Sequence, residues 1–286
     1  MIGELSSFFN ALSLALANTL GGKSSQISSW RNTLRASSLI TIAIISIALL
    51  FNFESIALRV VLIGLAAGLI GGLGLPFIYQ AFSIGSVSFV SPVATLVQTF
   101  NLILFAVIVE NEQLSITFPI AAALGVAGIF ACSRTSATGT SGSASFKVFG
   151  LTIIAACFFT GFSLLMTLIE NNEIIPALFG CRIGVLIVSF IFSPSKEIRR
   201  ESENAQAVPK TWLKYALLSG ACEMTANLTY MLAIANLELS KVGIIMASSP
   251  ALATIIGIKL MNQKPLLINW LGIAATSTAL IIIAVT

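Results

Sequence analysis

Residues 60–109 read VVLIGLAAGLIGGLGLPFIYQAFSIGSVSFVSPVATLVQTFNLILFAVIV. Two apolar runs, Val60–Ala81 and Val87–Val109, are joined by only a few residues. Each is long enough to cross a hydrocarbon core, which takes about 20 residues of helix. Both are apolar on odd and even positions alike. A strand of a membrane barrel alternates apolar with polar residues in pieces of about ten, so strands do not fit. A helix satisfies its own backbone hydrogen bonds in lipid. The short joint then makes the two runs an antiparallel helical hairpin.

Outward from this hairpin the same pattern recurs. Upstream lie Leu5–Gly22 and Ala36–Phe53, and Ser115–Ser133 follows. Beyond a break come Val148–Ile169, Ile174–Phe192, Trp212–Ala235, Val242–Met261 and Ile268–Val285. The weakest is the first, which is short and carries Asn10, Ser13, Asn18 and Thr19. The expected fold is an all-α integral membrane protein with about ten transmembrane helices. Residues 134–147 (RTSATGTSGSASFK) are rich in Ser, Thr and Gly and read as a flexible linker. Residues 193–210 (SPSKEIRRESENAQAVPK) form a second polar gap, with room for a short surface helix. Met1-Ile2-Gly3-Glu4 lacks the basic leader of a secretory signal, so the first run is expected to stay as a helix.

Composition agrees. The 286 residues are 57% hydrophobic and 9% charged, with a mean hydropathy of +0.99. Soluble domains carry about 25% charged residues, so most of this surface must face lipid. The net charge of +4 sits almost entirely in the gaps between runs, which is a topology signal and speaks against nucleic acid as a partner. There is no histidine, which removes the commonest general base and metal ligand together. The four cysteines are dispersed within apolar stretches and form no C-x-x-C pair. They read as small buried apolar side chains, without a zinc site or disulfide framework. No catalytic residue, cofactor or metal is expected.

The linker falls near the midpoint with five runs on either side, which predicts an internal repeat. Laying Val87 on Leu239 aligns Val87–Val109 with Leu239–Met261 without a gap, and Ala81 then meets Ala233. Ser88 meets Ser240, Val90 meets Val242 and Leu114 meets Leu266. Five helices per half is an odd number, so the second half inserts inverted relative to the first. Many secondary transporters are built this way, with their site near the midplane between halves.

YQAFSIGSVSFVSPVATLVQTFNLILFAVIVENEQLS (79–115) resembles the third-to-fifth-helix region of EamA-like domains of the drug/metabolite transporter superfamily. GACEMTANLTYMLAIANLELSKVGIIMASSPALATIIGIKLMNQKPL (220–266) resembles the matching region of a second such domain. The resemblance implies two tandem domains, 1–133 and 148–286, ten helices, a central cavity, and export or exchange of small metabolites. Such domains often close their fourth and ninth helices with a Gly-Glu-Arg-like turn. Here those turns read Glu110-Asn111-Glu112-Gln113-Leu114 and Asn262-Gln263-Lys264-Pro265-Leu266, and the second has lost its acidic residue.

Candidate site residues are the polar groups inside the runs. An ionisable residue deep in a membrane helix costs on the order of 2.5–3.5 kcal/mol to insert. Glu223 lies near the middle of its run, with Asn227 and Tyr230 on the same helix face. This stripe suits hydrogen bonding to a polar substrate, with Glu223 taking a cation or coupling proton; packing against a neighbouring helix is the rival reading. Arg182, mid-run, would hold a substrate carboxylate or pair with Glu223. Arg35 is its counterpart near a helix end, where snorkelling to water suffices. Ser91, Thr95 and Gln98 form a second stripe, either a wet cavity wall or interhelical glue. Pro92 and Pro250 lie inside the fourth and ninth runs, where a kink would serve gating. Gly64, Gly68 and Gly72, with Gly180 and Gly184, read as small-residue packing seams.

Lys and Arg concentrate after the odd-numbered helices, for example Lys23, Arg31 and Arg35 after the first and Arg199, Arg200 and Lys210 after the seventh. The positive-inside rule then places these loops in the cytoplasm and both termini outside; the resemblance implies the reverse. The expected function is a secondary transporter (permease) of a small metabolite such as an amino acid or organic cation, exporting by alternating access. Its first, fourth, sixth, eighth and ninth helices would line the cavity. It would sit in the cell membrane, driven by a proton or counter-substrate because no G-x-x-x-x-G-K-[ST] loop occurs. Homodimerisation is left open. A membrane-embedded enzyme fits poorly without His or an Asp-rich motif; a non-transporting or lipid-handling subunit is the stronger alternative.

Overall fold

The computed structural model describes residues 2–51, 57–109, 116–132, 146–193, 209–237, 245–246, 248–261 and 266–285. Among them are ten α-helices and no strand. These are α1 Ile2–Ile27, α2 Trp30–Leu50, α3 Leu58–Ile84, α4 Val87–Val109 and α5 Phe118–Cys132. They continue as α6 Phe146–Met166, α7 Ile174–Phe192, α8 Thr211–Asn236, α9 Ser249–Met261 and α10 Leu267–Val285. Four of them, α2, α3, α6 and α7, are long and apolar enough to cross a membrane. The protein is a multi-pass helical membrane protein.

Sequence and structure differ at several boundaries. The first run is no short helix: α1 has 26 residues. It looks weak in sequence because its polar side chains point inward. Ser6, Ser7, Asn10, Ser13 and Thr19 are buried while Ile2, Leu5, Phe8 and Phe9 are exposed. In lipid this inversion is favourable, since the outside is apolar and hydroxyls bond back to their own helix, as Ser7 to Gly3 O and Thr19 to Ala15 O, both 2.8 Å. Helix α2 starts at Trp30 rather than near Ala36 because Ser29 caps it, accepting from Asn32 N–H at 3.2 Å. Arg35 therefore lies inside α2 and stacks on Phe190, 4.4 Å from its ring centre. Helix α6 begins at Phe146, so the last residues of the expected linker are helical. Cys157 is exposed where burial was expected, whereas Cys181 is buried and Cys222 half-buried. A lipid-facing position suits a small apolar thiol equally well. The polar gap 194–208 and the turns after the fourth and ninth runs (110–114 and 262–265) lie outside the described residues.

Two interfaces organise the bundle. Helices α1 and α8 run antiparallel and share the most extensive packing. Among the described residues, hydrogen bonds cross between them at three levels. Asn10 Nδ2 donates to Ala226 O (2.6 Å), Ser219 Oγ to Ala17 O (2.8 Å) and Ser24 Oγ to Trp212 O (3.0 Å). Each step of seven residues along α1 meets a step of seven back along α8, the spacing of shallow-angle helix packing. Helices α3 and α7 run parallel at much closer approach. A methyl group added at Gly64 would strike the Ala177 carbonyl, and one at Gly68 the Cys181 carbonyl. On α7, Gly180 faces the Val61 carbonyl and Gly184 the Leu65 carbonyl. This is the expected small-residue seam, in which bare backbones replace side-chain interdigitation. Around these pairs α3 also packs on α6, α2 on α7 and α8, α1 on α9, α4 on α6 and α9, and α5 on α10.

Candidate functional site

Arg182 lies in the middle of α7, between Gly180 and Gly184, and Glu223 in the middle of α8. The glycine seam draws α7 into the bundle and buries the guanidinium, which is 2% exposed; Glu223 is 18% exposed. Arg182 Nη1 donates to Glu223 Oε1 at 2.7 Å. Helices α7 and α8 otherwise barely touch. The pair therefore ties the α3–α7 unit to the α1–α8 unit through the bilayer interior. Each charge in apolar surroundings would be expensive alone, and the pair neutralises both. Arg182 Nε remains buried without a hydrogen bond among the described residues.

Further polar groups surround the pair. Tyr79 on α3 is buried, donates to Ser37 Oγ on α2 at 3.4 Å, and lies within electrostatic reach of Glu223 and Arg182. Gly21 on α1 is required here, because a side chain there would strike the Tyr79 ring and the Ser219 hydroxyl. Tyr79 and Ser37 were not among the sequence candidates. The available signal for Tyr79 was a phenol inside an otherwise apolar run; Ser37 carried none.

The structure brings some expected residues together and separates others. Arg182 and Glu223 meet. Asn227 sits one turn on, but its Nδ2 donates to the Glu223 backbone carbonyl at 3.0 Å, within its own helix. Tyr230 packs with an apolar cluster that includes Ile45, Met224 and Met231. The α4 stripe faces α6 instead: Gln98 Nε2 donates to Ser163 Oγ at 3.0 Å. Thr95 bonds to Ser91 O on its own helix at 3.0 Å, and the Ser91 hydroxyl is buried without a hydrogen bond among the described residues. Pro92 is buried inside α4, whereas Pro250 falls in the first turn of α9 as described, where proline removes no helical hydrogen bond.

Among solved structures, one titled only as the crystal structure of a protein superposes with a TM-score of 0.63. The two share 17% identity over 97% of this chain and 95% of that one. That likeness is one of fold. No curated protein matches the chain. The family model described as sugar transport protein matches residues 12–286, nearly the whole chain, and the protein accordingly belongs to this family of membrane transporters.

Proposed function

We propose that the protein is a secondary transporter that moves a small polar solute across the cell membrane by alternating access. A sugar, the class in the family's description, is the proposed substrate. The observation that carries this reading is the polar interior of a bundle whose outer surface is apolar. The Arg182–Glu223 pair is buried at the centre, with Tyr79, Ser37 and Ser219 around it. Because the two charges neutralise each other, the centre offers a net cation or anion no uncompensated partner. A neutral, hydroxyl-rich solute is better matched than the amino acids or organic cations expected from sequence.

Two inverted five-helix halves are proposed with it, as in the drug/metabolite superfamily that the sequence resembles. The pattern of helix contacts supports them. Exchanging the halves turns α1–α8 into α6–α3, α1–α9 into α6–α4, and α3–α7 into α8–α2, and all six are packing interfaces. The α2–α7, α4–α9 and α5–α10 interfaces map onto themselves. Export is the direction the resemblance implies.

Flux into and out of proteoliposomes tests this, using sugars, amino acids and small organic cations with and without a pH gradient. Wild type is expected to carry at least one sugar saturably. Glu223→Gln should lower that flux at least about ten-fold, equivalent to about 1.4 kcal/mol, or abolish its pH dependence. Equal flux in the variant would remove Glu223 from the working site. Absence of flux for every solute would favour a non-transporting or lipid-handling subunit.

A further inference from the structure

A second polar feature lies away from the ion pair, near the end of the bundle where α2 begins and α7 finishes. There a pocket of ≈ 310 Å³ opens between α2, α3 and α7. Trp30 and Arg31 from the first turn of α2, Phe192 from the last of α7, and Pro76, Phe77 and Gln80 from α3 line it. Pro76, Phe77 and Gln80 share one helix face by their spacing. Trp30 and Arg31 open α2 and Phe192 closes α7, so the pocket is a mouth at the helix ends rather than part of the midplane centre.

Its walls are held in place. The Arg31 guanidinium stacks on the Trp30 ring at 4.6 Å. Phe77 meets Phe192 edge-on with ring centres 6.5 Å apart, and is itself stacked on Phe158 of α6 at 6.1 Å. The Ser193 hydroxyl donates to the Arg31 carbonyl at 3.2 Å, joining the ends of α7 and α2. Beside these rings stands the Gln80 carboxamide, which makes no hydrogen bond among the described residues, although its helix neighbours do. A carboxamide presents a donor and an acceptor side by side. That pair complements a hydroxyl group, which is also both. Aromatic faces complement the apolar C–H faces of a sugar ring. Ligand pockets run from roughly 300 to 1,000 Å³, and this one suits a monosaccharide rather than an oligosaccharide.

We infer that this pocket is a sugar-recognition vestibule: a monosaccharide lies against Trp30, Phe77 and Phe192 and is oriented by hydrogen bonds to Gln80. The inference rests on the sugar-transport reading and deepens it, because it separates the place where solute is first bound from the ion pair at the centre.

The test is binding of D-glucose, D-xylose and sucrose to the purified full-length protein, paired with flux of the same sugars in proteoliposomes. Wild type, Gln80→Leu, Phe192→Ala and Trp30→Phe are compared, each checked for monodispersity. Wild type should bind a monosaccharide in preference to sucrose. Gln80→Leu and Phe192→Ala should raise Kd and KM about ten-fold, the size of one lost hydrogen bond or ring contact, while kcat stays near wild type. Trp30→Phe keeps a ring, so it should still bind but lose most of the sugar-dependent change in tryptophan fluorescence. If wild type carries a monosaccharide while correctly folded Gln80→Leu and Phe192→Ala keep Kd and KM within two-fold (about 0.4 kcal/mol), the vestibule is wrong and the transport reading survives. If wild type neither binds nor carries any of the three sugars, the sugar reading fails and takes the vestibule with it.

Discussion

A guanidinium and a carboxylate removed from water each lose several kcal/mol of solvation. At Arg182 and Glu223 the loss is offset by a 2.7 Å charge-assisted hydrogen bond. Removing one partner leaves the other buried and uncompensated. Arg182→Met or Glu223→Leu alone is therefore expected to destabilise by on the order of 3–5 kcal/mol, whereas the double variant Arg182→Met, Glu223→Leu should lose much less than the sum of the singles. Thermal unfolding of the four proteins in detergent completes the double-mutant cycle; additive losses would mean that the two groups do not act as a pair. Both members were visible in sequence as lone ionisable residues in apolar runs. Their meeting was one of two readings that sequence left open, because the offset between α7 and α8 depends on how tightly each packs against α3 and α1. Tyr79 escaped notice for the same reason: a phenol becomes part of a polar centre only once Gly21 makes room for its ring.

Whole helices here are positioned by two different chemistries. The α3–α7 seam depends on missing side chains, and the α1–α8 interface on polar side chains at seven-residue steps. Gly68→Ala should push α7 off α3, because the new methyl would overlap the Cys181 carbonyl, which as backbone cannot rotate away. The expected loss is at least about 2 kcal/mol, in the range of core overpacking. Gly150→Ala in α6 provides the contrast, since nothing lies within 4 Å of the added atom. It should raise the unfolding midpoint slightly, consistent with about 0.5–1 kcal/mol of helix propensity. Unfolding midpoints by intrinsic fluorescence separate the two, and equal effects would contradict the seam. The glycine spacing of α3 made its seam legible in advance. The α1 helix was under-read, because a hydropathy argument counts inward-facing Ser, Thr and Asn as if they faced lipid.

Across the molecule, the strongest packing joins helices from opposite sides of the 134–147 segment: α1 with α8, α3 with α7, α3 with α6 and α5 with α10. Neither half can bury its polar faces alone. Residues 1–140 and 141–286 expressed separately should each be polydisperse, whereas co-expression should yield a complex that co-purifies and carries solute. A half that is monodisperse and stable alone would count against this interlocked arrangement. The chain's low charge and long two-sided apolar runs were enough to establish a helical membrane protein, because a bilayer demands internally bonded backbone and tolerates few charges. Periodicity along one helix also exposed the candidate polar groups and the glycine seam. Which polar groups face each other was settled by packing alone: Gln98 turns to Ser163, Asn227 to its own helix, and Arg182 to Glu223. Residue spacing gives the face of a helix but not its neighbour, since in lipid an apolar side chain gains little from one apolar neighbour over another and the close fit of glycine against backbone chooses the partner.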